Sequence, residues 1–162
     1  MRTTILLLAL ATITGAPAVI AAESSSSSAP KTPSAKDLFA KGVAAMDADD
    51  LDNARTYFED VLEQEPDVAE AHNNLGYCLR KLDESLWNEA LAHYDRALEL
   101  DPKLAQAYHY RGVLPALAGR EAAAKADHAA LVELDATLAD RLMEVIATGA
   151  EPTGDDGLTR AW

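Results

Sequence analysis

The densest run of groups able to do chemistry in this chain is acidic. From Asp47 to Glu70 there are ten carboxylates and a single basic residue, Arg55. Asp47 and Asp49 open DADDLDNARTYFE at the spacing of the first ligands of a calcium loop. Such a loop needs an oxygen ligand where Leu51 stands, a Gly where Asp52 stands and a bidentate Glu where Phe58 stands. Cation chelation is therefore not expected. Asp at a turn accepts hydrogen bonds from the free amides that open a helix, and that role suits this run better. Cys78 is the only cysteine, so no internal disulfide can form, and Leu75, Leu79 and Leu82 around it suggest a small core residue. His72, His93, His109 and His128 lack the paired spacing of metal ligands. No nucleophile motif, Gly-rich phosphate loop or convergent carboxylate pair is present. The chain is accordingly read as non-catalytic, with no cofactor, metal or small-molecule substrate.

Charge bounds the partners. The 162 residues carry 14 basic and 27 acidic side chains, a net charge of −13. A nucleic-acid face needs clustered Lys and Arg to displace counterions from phosphate, so nucleic acid is not an expected ligand. The acidic run either steers a basic partner or is a solvated outer face.

Stepping outward to the elements that position these groups, Ala69 to Leu104 is the clearest stretch: two helical segments, AEAHNNLGYCLRKL and NEALAHYDRALEL, separated by Asp83, Glu84 and Ser85 and ended at Pro102. Its neighbours repeat it. Gly42, Gly76 and Gly112 are 34 and 36 residues apart, and Ala54, Ala90 and Ala124 are 36 and 34 apart, as are Phe58, Tyr94 and His128 and also Pro66, Pro102 and Ala136. The middle unit thus carries two extra residues between Gly76 and Ala90, in the turn containing Leu86 and Trp87. A period near 34 with small residues at fixed places is the signature of a solenoid of helix-turn-helix units.

This pattern resembles the tetratricopeptide repeat, W-x2-L-G-x2-Y followed by A-x3-F and P, matched best by Leu75, Gly76, Ala90, Tyr94 and Pro102. The resemblance covers residues 35 to 138. It departs in the first unit, where Leu38 replaces Trp and Lys41 replaces Leu. In the third unit Arg111 replaces Leu, His128 the aromatic and Ala136 the closing Pro, while Pro115 stands where an aromatic belongs. An interior proline removes a hydrogen bond and collides with the carbonyl four residues back, here Arg111, at roughly 3 kcal/mol, so a kinked or broken helix is predicted there.

The expected architecture is an all-α solenoid of three hairpins, with helices at about 36–48 and 52–65, 69–82 and 88–100, and 105–118 and 121–134. A capping helix over 137–148 follows, since Leu138, Leu142, Val145 and Ile146 form one apolar stripe. The repeat domain is bounded at 35–149. Residues 1–21 read as a signal peptide: Arg2, an uncharged run, Gly15 and Pro17, then small residues. An uncleaved span is the competing reading, and the expected location is periplasmic or secreted. Residues 22–34 form a Ser/Pro-rich linker, and 150–162 a flexible acidic tail.

The resemblance implies a concave groove, lined by the leading helix of each hairpin, that holds a segment of a partner protein. Opposite the core stripe these helices present Lys36, Phe39, Val43 and Met46, then Glu70, Asn73, Tyr77 and Arg80, then Gln106, His109, Val113 and Ala116. The family's clamp for chaperone C-terminal carboxylates is not matched: only Asn74 has a counterpart, with Phe39, Val43, Gln106 and Tyr110 at its other places. The expected function is protein binding, and the alternative is self-association within an envelope assembly. In the tail, Leu158 and Trp162 would share a face if helical, so the tail is either an idle end or an occupant of the groove.

Overall fold

The computed structural model describes residues 32–151; the expected signal peptide, most of the linker and all of the tail beyond Glu151 lie outside the described residues. Seven α-helices and no strand occur among the described residues: α1 (Ala35–Asp47), α2 (Leu51–Gln64), α3 (Ala69–Leu82), α4 (Trp87–Leu100), α5 (Ala105–Leu117), α6 (Glu121–Leu134) and α7 (Ala136–Thr148).

Local chemistry sets several of these ends. Ser34 and Asp37 form a reciprocal capping box at the start of α1, each side chain accepting from the other's amide at 3.2 Å. Asp50 accepts from the Asn53 amide at 3.3 Å and opens α2, which is the use expected for the acidic turn. Asp135 likewise caps α7, whose end is turned by Gly149 at φ 67°.

The two extra residues of the middle unit are absorbed in a short 3-10 turn, Glu84–Leu86. That turn delivers Trp87, whose indole N–H donates to the Arg80 carbonyl at 3.2 Å and satisfies one of the free carbonyls at the end of α3.

Helices pack as the hairpins α1–α2, α3–α4 and α5–α6, each stacked on the next, and α7 lies against both α5 and α6. The spaced glycines mark the closest approaches. A Cβ on Gly42 would sit 2.8 Å from the Phe58 ring, and one on Gly76 would sit 2.8 Å from the Tyr94 ring. Both rings are wholly buried, so each leading helix closes onto its partner's aromatic with no space for a methyl group.

The third hairpin breaks this rule. His128 was expected in the aromatic place, yet it is half-buried, and a Cβ on Gly112 would meet Leu142 of α7 at 2.6 Å instead. The capping helix has supplied the missing apolar group. One turn position away Asp127 is buried, held by Arg111 at 2.6 Å, and Arg111 also reaches Asp95 at 2.6 Å. Burial pushes the Asp127 carboxyl upward, with the guanidinium opposing it.

Pro115 does not break α5, which runs through it to Leu117. It sits in the last turn, where only one internal bond is forfeited, and its own carbonyl accepts from the Arg120 amide at 2.7 Å beyond the helix end. Cys78 is buried in the core, as its neighbours suggested.

Candidate functional site

The leading helices α1, α3 and α5 carry all the residues predicted for the binding face, and the structure divides them. Lys36 is exposed, and Val43, Glu70, Tyr77 and Gln106 are partly buried. Phe39 and Met46 are core residues, Phe39 meeting Phe58 edge-on at 5.4 Å between ring centroids. Val113 and Ala116 pack with Leu138, Leu142 and Val145 of α7. Along α5 the structure therefore differs from the expected open stripe. His109, Val113 and Ala116 share one face, and α7 lies on it; the ring N–H at Nδ1 of His109 donates to the Leu138 carbonyl at 3.3 Å.

The remaining groups of the predicted face centre on α3, where Tyr77 is half-buried and, contrary to the expected open stripe, Asn73 and Arg80 are buried. Asn73, Tyr77 and Arg80 follow at helical spacing on one stripe. The Arg80 guanidinium lies 5.4 Å from the centroids of both the Tyr77 and Tyr110 rings. Those two rings meet edge-on at 5.0 Å, and Tyr110 stacks on Tyr94 at 6.1 Å. A planar cation between aromatic faces is favourably placed and fixed in direction. Burial raises the Tyr94 phenol above its ordinary range, against the pull of the nearby Arg80 charge, so Tyr94 remains a neutral hydroxyl.

Arg80 is nearly enclosed, its side chain 4 % exposed, and its Nη1 donates to the Glu151 carboxylate; Lys81 reaches the other oxygen of that carboxylate at 3.3 Å. Sequence reasoning had placed Arg80 on this face but not Glu151, 71 residues away, because no local pattern ties the two. Among the described residues, Asn73 Oδ1, Asn74 Nδ2, Arg80 Nε and the Tyr94 hydroxyl are buried without hydrogen-bonding partners. Asn74, the one residue shared with the chaperone clamp, is buried too and accepts from the Asn73 amide at 3.2 Å. The stripe thus sets one fixed cation beside two aromatic rings, an arrangement able to hold a carboxylate, as it holds that of Glu151.

A cavity of about 320 Å³ between α4, α5 and α6 is lined by Leu91, Asp95, Arg111, Pro115, Arg120 and Asp127, and its charges largely neutralise one another. His72 and His93 meet with their Nδ1 atoms 3.0 Å apart, and His72 Nε2 donates to the Pro66 carbonyl at 2.9 Å. Among the described residues no group of three or more His, Cys, Asp or Glu is placed to hold a metal ion, and no helix is long and apolar enough to cross a membrane.

Comparison with curated protein sequences finds no match. The family profile described as tetratricopeptide repeat matches residues 39–103. Solved structures share the fold at low identity. The first tetratricopeptide domain of Spaghetti, bound to the HSP90 peptide SRMEEVD, is 20 % identical, with 70 % of this chain and 90 % of that one covered at a TM-score of 0.63. The TPR2B domain of yeast Sti1, in complex with pHsp70, is 22 % identical, with 71 % and 94 % covered and a TM-score of 0.63. YrrB, described as having an unusual peptide-binding site, is 22 % identical at a TM-score of 0.62; 70 % of this chain is covered, which spans 58 % of YrrB. With the repeating glycine contacts, the stacked hairpins and these matches, residues 39–103 are tetratricopeptide repeats by sequence and the described residues share the all-α solenoid fold of tetratricopeptide-repeat proteins.

Proposed function

We propose that this domain is a non-catalytic interaction module that holds a segment of a partner protein against its leading helices, in the cell envelope after export by residues 1–21. The fold supports the general reading, since proteins that share it are described as bound to a peptide or as having a peptide-binding site. Those peptides belong to those proteins. The chaperone clamp's residues are largely absent here, Phe39, Val43, Gln106 and Tyr110 standing where it has Lys or Asn, so a different partner is inferred.

The observation that carries the proposal is the α3 stripe. There the Arg80 guanidinium is held between the Tyr77 and Tyr110 rings and already binds one carboxylate, that of Glu151. An extended segment brings amide donors, carbonyl acceptors and an acidic side chain to such a surface. The test is selection of peptides from a displayed library, then affinity measurement against the domain and its Tyr77→Ala variant. Loss of a central aromatic anchor weakens binding by about 2 kcal/mol, roughly thirtyfold, with the melting temperature preserved. Selected peptides that bind both proteins alike, or a Tyr77→Ala protein that melts early without any specific loss of binding, would remove Tyr77 from the site. Export is tested by fractionating cells that express the chain with and without residues 1–21; cytoplasmic retention of both forms overturns it.

Self-association within an envelope assembly is the second reading. It is favoured by Val132, Leu134 and Met143 on α6 and α7, large apolar side chains left exposed at the last hairpin and its cap.

A further inference from the structure

We propose that residues 151–162 are an intramolecular ligand of the leading-helix face, seated through Glu151 on Arg80, and that any partner segment must displace them. The inference deepens the peptide-binding reading and rests on it.

Glu151 is the only acidic group among the described residues that reaches Arg80, and it arrives from the far end of the fold. Its route is set by structure. α7 ends at Gly149 in the left-handed conformation, and the Thr148 hydroxyl accepts from the Ala150 amide at 3.3 Å, so the chain leaves the helix in a fixed direction. It places both carboxylate oxygens of Glu151 on the last turn of α3, one on Arg80 and one on Lys81. The carboxylate occupies the place that an acidic residue of a partner segment would take.

Glu151 alone does not fill the seat. Arg80 Nε, on the paired residue itself, and Asn73 Oδ1, two turns before it on the same helix face, have no hydrogen-bonding partner among the described residues. A strut that merely tied α7 to α3 needs neither. The sequence that follows, PTGDDGLTRAW, carries backbone donors and acceptors, two further acids and the apolar side chains of Leu158 and Trp162, a composition complementary to a face that holds Arg80 and aromatic rings. Eleven residues extend to roughly 36 Å, against about 8–10 Å between packed helix axes, so the segment is long enough to run from α3 across its neighbours. Attached at Glu151, it is present at an effective concentration of the order of millimolar.

The probe is a fluorescein-labelled peptide of residues 151–162, titrated into the full chain and into its Glu151→Lys variant. In the unaltered chain the attached copy competes with the probe; with Lys at 151, beside Arg80 and Lys81, the attached copy is repelled. The probe is expected to bind Glu151→Lys at least tenfold more tightly than the unaltered chain, and a probe carrying Gln at its first position to bind at least fivefold more weakly than the original. Glu151→Gln, which keeps the side chain's size and removes only its charge, guards against misfolding of the first variant and should give a smaller gain in the same direction. A lowered melting temperature with no gain in probe affinity in either variant assigns Glu151 a purely structural role and overturns the proposal, as does equal or absent binding of the probe to all three proteins. Library-selected peptides that still bind in those cases leave the peptide-binding reading standing; their failure as well removes both.

Discussion

Replacing Gly76 by alanine tests how the hairpins close. The new Cβ would lie 2.8 Å from Cε1 of Tyr94, 3.0 Å from Cζ and 3.1 Å from Cδ1. Carbon atoms in good contact sit about 3.5–4.0 Å apart, so the ring must retreat by roughly 0.7 Å or α3 must lift away. Tyr94 is 0 % exposed and stacks on Tyr110, so the displacement propagates into the next hairpin. Overpacking by a carbon costs about 1–3 kcal/mol, while alanine's helix propensity returns about 1 kcal/mol. The net expectation is a loss of about 1 kcal/mol, or roughly 4 °C in melting temperature for a domain of this size. In a Tyr94→Leu background the ring is gone, and the same Gly76→Ala change should be neutral or stabilising. Urea unfolding of the four proteins gives the coupling energy directly, expected at about 1 kcal/mol or more. If alanine stabilises both backgrounds equally, the close approach is not what fixes glycine at this position.

Further outcomes follow from the same geometry. Asp127→Ala leaves Arg111 with only the exposed Asp95, and since removing one partner of a buried pair is costly, a loss of about 2–3 kcal/mol in urea unfolding is expected. His72 and His93 are both held below the usual imidazole value of 6.5, chiefly by burial, with Arg96 adding to the effect on His72 and the neighbouring imidazole to that on His93; the hydrogen bond to the Pro66 carbonyl and Asp67 oppose it at His72, and Glu89 and Glu59 at His93. The unfolded chain therefore takes up protons first, so their contribution to stability is complete above pH 6.5 and lost as the pH falls through the folded values. The melting temperature should drop from pH 7.5 to pH 5.5, and His93→Gln should flatten that drop. Light scattering at micromolar concentration is expected to give a monomer if the leading-helix face serves a partner; a dimer lost on Met143→Lys would favour self-association.

Much of this fold could be read from spacing because its contacts repeat. Gly42 with Phe58 and Gly76 with Tyr94 are the same contact made twice, and a fixed offset in sequence exposes it. The third unit escaped because its glycine turned to another helix: Leu142 fills the aromatic place, which left His128 half-buried and allowed Asp127 to turn inward to Arg111. The binding face was less legible. A helix stripe drawn from sequence does not say which helix will cover it, and α7 covers His109, Val113 and Ala116. Arg111 looked like a departure from a pattern, although acids sixteen residues to either side, Asp95 and Asp127, were available as the signal of a charged ladder. Nothing in local sequence links Arg80 to Glu151.

The register of α7 decides how long this stack can be. In α1, α3 and α5 the residue seven places after the first is Gly42, Gly76 or Gly112, and in α7, counted the same way from Ala136, it is Met143. A helix following α7 in the trailing position would press its large side chain against a thioether chain instead of bare backbone, and the pair would stand apart rather than close. Met143 thus marks α7 as a cap rather than a fourth leading helix, and Met143→Gly is the change that would give it the bare backbone on which the leading helices close.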